Sequence, residues 1–386
     1  MKRGPAGQYE TTATGDETVH AFVPDPLPPD PPLDLTGARQ RLLEGALLAC
    51  GRLDGVTALL PDPDLFLYAY VRREAVLSSQ IEGTQSSLSD LLLFELDEAP
   101  GVPLDDVVEV SGYVAALEQG MARLLEGFPI SNRLLREVHD KLLASGRSAD
   151  KQPGEFRRSQ NWIGGTRPGN ARFVPPQPQR VQDCMASLER SIHAEDDLPA
   201  LVRAALVHAQ FETIHPFLDG NGRVGRLLIV LMLFDAGVLD QPLLYLSLYF
   251  KQHRDEYYRL LDTVRSEGDW EAWLDFFLEG VTITAGSAIK TAHLLLALFD
   301  EDTARVQTLG RAAANALRVF AALRDRPLAT LPALTKQTGA TYPTVARAVE
   351  ALENLDIVRE ITGRKRERVF AYTRYLDILN EGTEPL

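Results

Sequence analysis

The 386-residue chain holds only two cysteines, Cys50 and Cys184, each set in an apolar helical pattern. So few thiols exclude a disulfide framework and suit buried thiols in a reducing compartment, with a single bridge left open. Long hydrophobic runs are missing too. The longest, Leu227 to Phe234, falls far short of the roughly 20 residues that span a bilayer, and Met1-Lys2-Arg3-Gly4-Pro5 starts no signal-peptide run. The expectation is a cytoplasmic protein without membrane contact. Positive charge is also scarce, with 40 Lys and Arg against 54 Asp and Glu and a formal net charge of -14. A surface given over wholly to nucleic acid or anionic lipid is therefore excluded, and any such contact must be a local patch. No low-complexity tract or internal repeat is visible, and 45% hydrophobic content lets a chain of this length bury a large core.

What is present is mostly helical spacing. Residues 1 to 33 read as a flexible arm, because Pro24, Pro26, Pro28, Pro29, Pro31 and Pro32 block helix and central strand alike. Residues 34 to 127 read as an N-terminal helical region. Its first helix stops at Pro61-Asp62-Pro63, and its second runs from about Asp64 to Glu82 and closes at Gly83. Residues 128 to 305 form a helical core, including one long helical pattern from about 253 to 298. Between 152 and 178 the pattern breaks at Gly164-Gly165, Pro168-Gly169 and Pro175-Pro176, which predicts a β-hairpin flap. From 306 to 386, three helices and two short strands around Gly363-Arg364-Lys365-Arg366-Glu367 predict a winged helix-turn-helix. The fold class is thus mostly α.

One loop gathers chemistry. In His215-Pro216-Phe217-Leu218-Asp219-Gly220-Asn221-Gly222-Arg223-Val224-Gly225-Arg226, a glycine-rich turn leads directly into an apolar helix. Backbone N–H groups and the positive end of the helix dipole converge there, which makes an anion site. Arg223 and Arg226 fall three apart, so both can reach one polyphosphate. Asp219 is a hard oxygen ligand suited to magnesium, and neutral His215 can take a proton from a hydroxyl near pH 7. A Gly-Asn-Gly alone is usually a turn, and a lone histidine is usually structural. Together they form a phosphoryl-transfer site.

The loop resembles the Fic family signature, H-x-F-x-[D/E]-G-N-G-R-x-x-R, at every fixed position. The likeness extends through His208-Ala209-Gln210-Phe211-Glu212-Thr213-Ile214, through the flap, and to Tyr245-Leu246-Ser247 and Glu256-Tyr257-Tyr258. It implies a protein adenylyltransferase that moves AMP from ATP and Mg2+ to a protein hydroxyl. By that resemblance His215 is the general base, Asp219 holds magnesium, and Gly220, Asn221, Gly222 and Gly225 belong to the nucleotide site with Arg223 and Arg226. His208 reads as packing. Tyr257 and Tyr258 read as core, with an adenine-pocket role as the alternative.

Glu82 stands at the negative end of its helix, where a carboxylate is disfavoured by roughly 0.3 to 1 kcal/mol unless a cation compensates it. A surface glutamate without a role is the bland reading. Ser78, Glu82 and Gly83 match the family's inhibitory pattern [S/T]-x-x-x-E-[G/N], which implies Arg226 as the partner. Two alternatives stay open: a DNA-binding regulator with a nucleotide-sensing core, and removal of AMP at the same site. The target protein, self-modification, a homodimer, and DNA or protein contact through the winged helix also stay open.

Overall fold

The computed structural model describes residues 1–14, 17–58, 63–96 and 103–384. It departs from expectation first in the supposed flexible arm, where β1 (Gly7–Thr14) and β2 (Glu17–Pro24) pair antiparallel, Tyr9 opposite Phe22. The prolines that suggested an arm lie at or beyond the ends of this ladder, so none removes a hydrogen bond from its middle. Val19, Ala21 and Phe22 are buried. Arg3 donates to both Glu271 oxygens at 2.5 and 2.7 Å, and the Asp34 N–H reaches the same carboxylate at 3.2 Å, fastening the segment at both ends.

Next come α1 (Gly37–Ala58) and α2 (Pro63–Ile81). Pro61 and Asp62 of the expected stop lie outside the described residues. α2 ends at Ile81, and Gly83 follows with a φ of +101°, a conformation that glycine adopts without steric cost. After α3 (Leu88–Phe94), α4 (Leu104–Leu125), α5 (Asn132–Leu142) and α6 (Pro178–Ile192) come α7 (Ala200–Ile214) and α8 (Asn221–Asp235). Every residue of α7 from Ala204 to Ile214 is buried, as is every residue of α8 from Arg223 to Leu233. Helices apolar all round become the centre of a helical protein, and the loop between these two is held by the core on both sides.

The flap is slighter than a hairpin. Ile163 and Phe173 exchange backbone hydrogen bonds of 2.9 and 3.1 Å, and no further rung forms among its described residues. Gly164 and Gly165 have positive φ, and a single 3-10 turn spans Pro168–Asn170, so the chain turns too tightly for a ladder. The early hairpin props it: the Phe22 N–H donates to the Val174 carbonyl at 2.9 Å, and the Gly169 N–H donates to Glu17 at 2.9 Å.

After α9 (Ser247–Gln252), the long pattern expected from 253 to 298 is divided between α10 (Arg254–Glu267) and α11 (Trp270–Gln307). Gly268, with φ +63°, closes α10, and Asp269 caps α11 by accepting the Ala272 N–H at 3.4 Å. By length and composition α11 could cross a membrane, with a mean hydropathy of 1.4 over its best stretch. It packs instead against α1, α7 and α10, burying Trp273, Leu274, Phe277 and Leu278.

The last module holds α12 (Ala313–Asp325), β3 (Leu328–Thr330), α13 (Leu331–Thr338), α14 (Tyr342–Asn354), β4 (Arg359–Glu360), β5 (Val369–Ala371) and α15 (Thr373–Asn380). Its sheet runs β3-β5-β4, all antiparallel. The three helices and the β4–β5 pair come in the order expected from the sequence, with one extra strand, β3, too short to show a period of two.

Candidate active site

His215 ends α7 in the left-handed conformation, φ +49°, its N–H bonded to the Phe211 carbonyl at 2.9 Å. Gly220, φ +75°, opens α8. Between them the loop is strapped by side chains that bind its backbone. The Asn221 side chain accepts from the Phe217 N–H at 2.8 Å and donates to the Phe217 carbonyl at 2.9 Å. Arg157 donates to the His215 carbonyl at 2.9 Å, and Asn161 donates to the carbonyls of His215 and Phe217 at 3.3 and 3.0 Å. His139 accepts the Gly154 N–H at Nδ1, so its Nε2 carries the hydrogen and donates to the Asp219 carbonyl at 3.1 Å. These straps escaped sequence reasoning because a bond to a backbone carbonyl leaves no spacing signal. The Asn221 side chain is therefore committed to shaping the loop, and only its backbone is left for an anion.

A cavity of about 460 Å³ opens beside the loop between the flap and α10. His215, Gly222, Arg226 and Glu82 line it, with Glu212, Tyr257 and Tyr258, whereas Asp219, Asn221 and Arg223 do not. The two arginines expected to share one polyphosphate are thus separated. Arg223 turns to Glu109 on α4 at 3.2 Å, both groups buried, and lies 3.7 Å from Asp219. Arg226 turns to α2, donating to the Ser78 hydroxyl at 2.8 Å, the Ser78 carbonyl at 2.9 Å and Glu82 at 2.8 Å. Each guanidinium follows its own buried acceptors, which decide its direction more firmly than helical spacing does.

The Glu82 carboxylate lies against the glycine turn. A Cβ at Gly222 would sit 2.2 Å from its Oε1, so the carboxylate rests where an anion meets the first turn of α8. Gly225 is a close packing contact and does not line the cavity: a Cβ there would meet Glu212 at 2.5 Å and Phe211 at 3.2 Å. Gly225→Ala is expected to destabilise the fold by about 1 to 3 kcal/mol by forcing α7 and α8 apart. An unchanged melting temperature would count against this close approach. His208 is fully buried, donating from Nδ1 to the Gly225 carbonyl and accepting the Tyr257 hydroxyl at Nε2, both at 2.9 Å. It is the packing residue expected, and Tyr257 joins core and cavity.

Burial pushes the His215 imidazole down to about 4, with Arg157 and Arg265 adding to the effect. It is therefore neutral near pH 7. Its Nδ1 has no hydrogen-bond partner and lies 4.0 Å from Glu212, whose carboxyl burial pushes up to about 7. Burial alone would raise Glu82, but Arg226 outweighs it and holds the carboxyl below its usual range. The same pair raises Arg226 against its own burial. Asp219 is held low although burial opposes it, because the Ser148 hydroxyl at 2.5 Å and Arg223 favour the charged form. No cluster of metal ligands occurs among the described residues. An ionised carboxylate 40% exposed nevertheless fits a hard divalent ion that takes one protein carboxylate and completes its shell with water and phosphate.

A helical core that carries this loop between two buried helices is a Fic domain. Residues 129–233 match the Fic/DOC family, and residues 40–122 match the Fic/DOC family N-terminal region. Proteins called protein adenylyltransferase Fic, from Drosophila yakuba and Drosophila melanogaster, are 33% and 32% identical over 181 residues. That stretch is 46% of this chain and about a third of each relative. A Fic family protein from Desulfovibrio desulfuricans G20 shares the fold with a TM-score of 0.58 at 20% identity, over 89% of this chain and 98% of that one. Fic-1 from C. elegans does so with a TM-score of 0.50 at 23% identity, over 66% and 71%.

Proposed function

We propose that this protein is an adenylyltransferase that moves AMP from ATP to a hydroxyl of a protein, and that Glu82 holds it in an inhibited state. The observation that carries the reading is the 2.8 Å pair of Glu82 with Arg226 in the cavity that also holds His215. The target hydroxyl gives its proton to His215 as its oxygen bonds to the α-phosphorus, and the bond to pyrophosphate breaks. Nδ1 lies toward Glu212, which leaves Nε2 to receive that proton. Gly222 at the start of α8 and Arg226, once free of Glu82, hold the terminal phosphates. A magnesium ion on Asp219 would neutralise phosphate charge. In support, the curated relatives bear the name adenylyltransferase, and the family signature is intact from His215 to Arg226.

Intact-mass measurement after incubation with ATP and magnesium tests the reading. A gain of about 329 Da on the protein or an added substrate reports AMP transfer. Loss of that mass from a modified protein would point to the reverse reaction. The pH profile adds a second check, because an imidazole already neutral from about pH 5 upward loses no base form between pH 8 and 6. Transfer by Glu82→Gly should be flat across that window. Glu212 titrates inside it, so the profile is read beside that of Glu82→Gly with Glu212→Gln. A halving near pH 6.5 in both proteins would mean that His215 titrates as a solvated histidine.

A further inference from the structure

Beside the last turns of α2, four successive main-chain carbonyls are each met by a side-chain donor. Arg73 donates to the Glu381 carbonyl at 2.6 Å, Lys251 to that of Gly382 at 3.3 Å, Gln80 to that of Thr383 at 2.8 Å, and Lys251 again to that of Glu384. Gln80 and Lys251 are themselves joined at 2.7 Å. Arg73, Gln80, Lys251 and Thr383 are all buried. Buried donors aimed at consecutive carbonyls form a receptor for main chain, here the turn that follows α15, in which the Thr383 N–H donates to the Asn380 carbonyl at 2.9 Å, because each donor would lose a hydrogen bond if the segment left. The fit is close at one point. Gly382 has a φ of +80°, and a Cβ there would stand 3.0 Å from the Leu248 side chain.

We propose that this groove is a peptide-binding site whose resident occupant is residues 381–384, and that its occupancy fixes the end of α2 and so the inhibitory position of Glu82. The link runs through Gln80. One amide nitrogen spans the Thr383 carbonyl and the Ser86 carbonyl, 2.8 and 2.9 Å away, across the turn that contains Glu82. With residues 381–384 gone, that amide loses one of its two acceptors, and Arg73 and Lys251 are left facing water. The last turn of α2 is then free to fray. α15 joins this segment directly to β5, so a partner that pulls on the C-terminal module would draw residues 381–384 out of the groove. The effect on transfer rests on the adenylyltransferase reading; the docking of the segment does not.

Two variants test the proposal, each by two readouts. Gly382→Val leaves every donor in place but cannot adopt the docked backbone beside Leu248, and deletion of residues 381–386 removes the ligand outright. Hydrogen exchange over residues 73–82 should quicken by roughly tenfold in both, reporting local opening of α2. AMP incorporation should rise by roughly three- to tenfold. Exchange at the wild-type rate in both variants would overturn the site. Glu82→Gly serves as the control that separates the two hypotheses. If it transfers AMP rapidly while both tail variants stay at the wild-type rate, the regulatory half is overturned. If it is inactive while exchange quickens as expected, the docking site stands and the adenylyltransferase reading fails.

Discussion

Replacing His215 with alanine should lower AMP incorporation by roughly a hundred- to ten-thousandfold, the usual worth of a positioned general base. Nucleotide affinity should stay nearly unchanged, since His215 faces Glu212 while the phosphate site proposed above is formed by Gly222 and Arg226. The measurement is best made in a Glu82→Gly background, where the starting rate is high, with ATP binding followed by calorimetry. His215 sits at φ +49°, where alanine adds backbone strain, so His215→Asn provides a second variant. Asparagine tolerates the left-handed conformation but offers no base, and both should be equally inactive. Transfer at the parental rate by either variant would remove His215 from its role.

Glu82→Gly should raise transfer by roughly ten- to a hundredfold under saturating ATP and magnesium. A charge-assisted hydrogen bond is worth about 1.5 to 3 kcal/mol, and about 1.4 kcal/mol is tenfold in rate. The Glu82 side chain is 34% exposed, so screening by solvent draws the gain toward the lower end. Two effects act together. Arg226 spends its guanidinium on Ser78 and Glu82, leaving it unable to grip a phosphate with two parallel bonds. The carboxylate also lies on the glycine turn, where its charge repels an incoming phosphate. Arg226→Ala should be slower than the wild type, and the double variant should match Arg226→Ala, because Glu82 has no partner to hold once the arginine is gone. Equal rates for the wild type and Glu82→Gly would falsify the lock.

The pairing of Glu82 with Arg226 was legible because both ends carry local signals, Ser78 and Gly83 around the one and the loop signature around the other. The partner of Arg223 carried none. Glu109 lies in an apolar stretch of α4, and only packing α4 against α8 turns it into a buried acceptor at 3.2 Å. Residues 1–33 misled for a different reason: the prolines dominated the composition, while the alternation that buries Val19 and Ala21 spans a few residues.

The sequence by itself determined what depends on neighbours along the chain: the helical periods, the glycine turn from Asp219 to Gly222, the capping glycine after α2, and the set of residues able to handle a phosphate. Tertiary structure decided which of those residues face one another. It turned Arg223 away from the cavity, made Gly225 a packing contact, laid Glu82 on the turn, and seated residues 381–384 beside Gln80. Local conformation follows from sterics and backbone hydrogen bonds within a few residues. The direction of a buried charge follows from whichever partner the fold brings within about 3 Å, because leaving it unpaired costs more than any local preference returns.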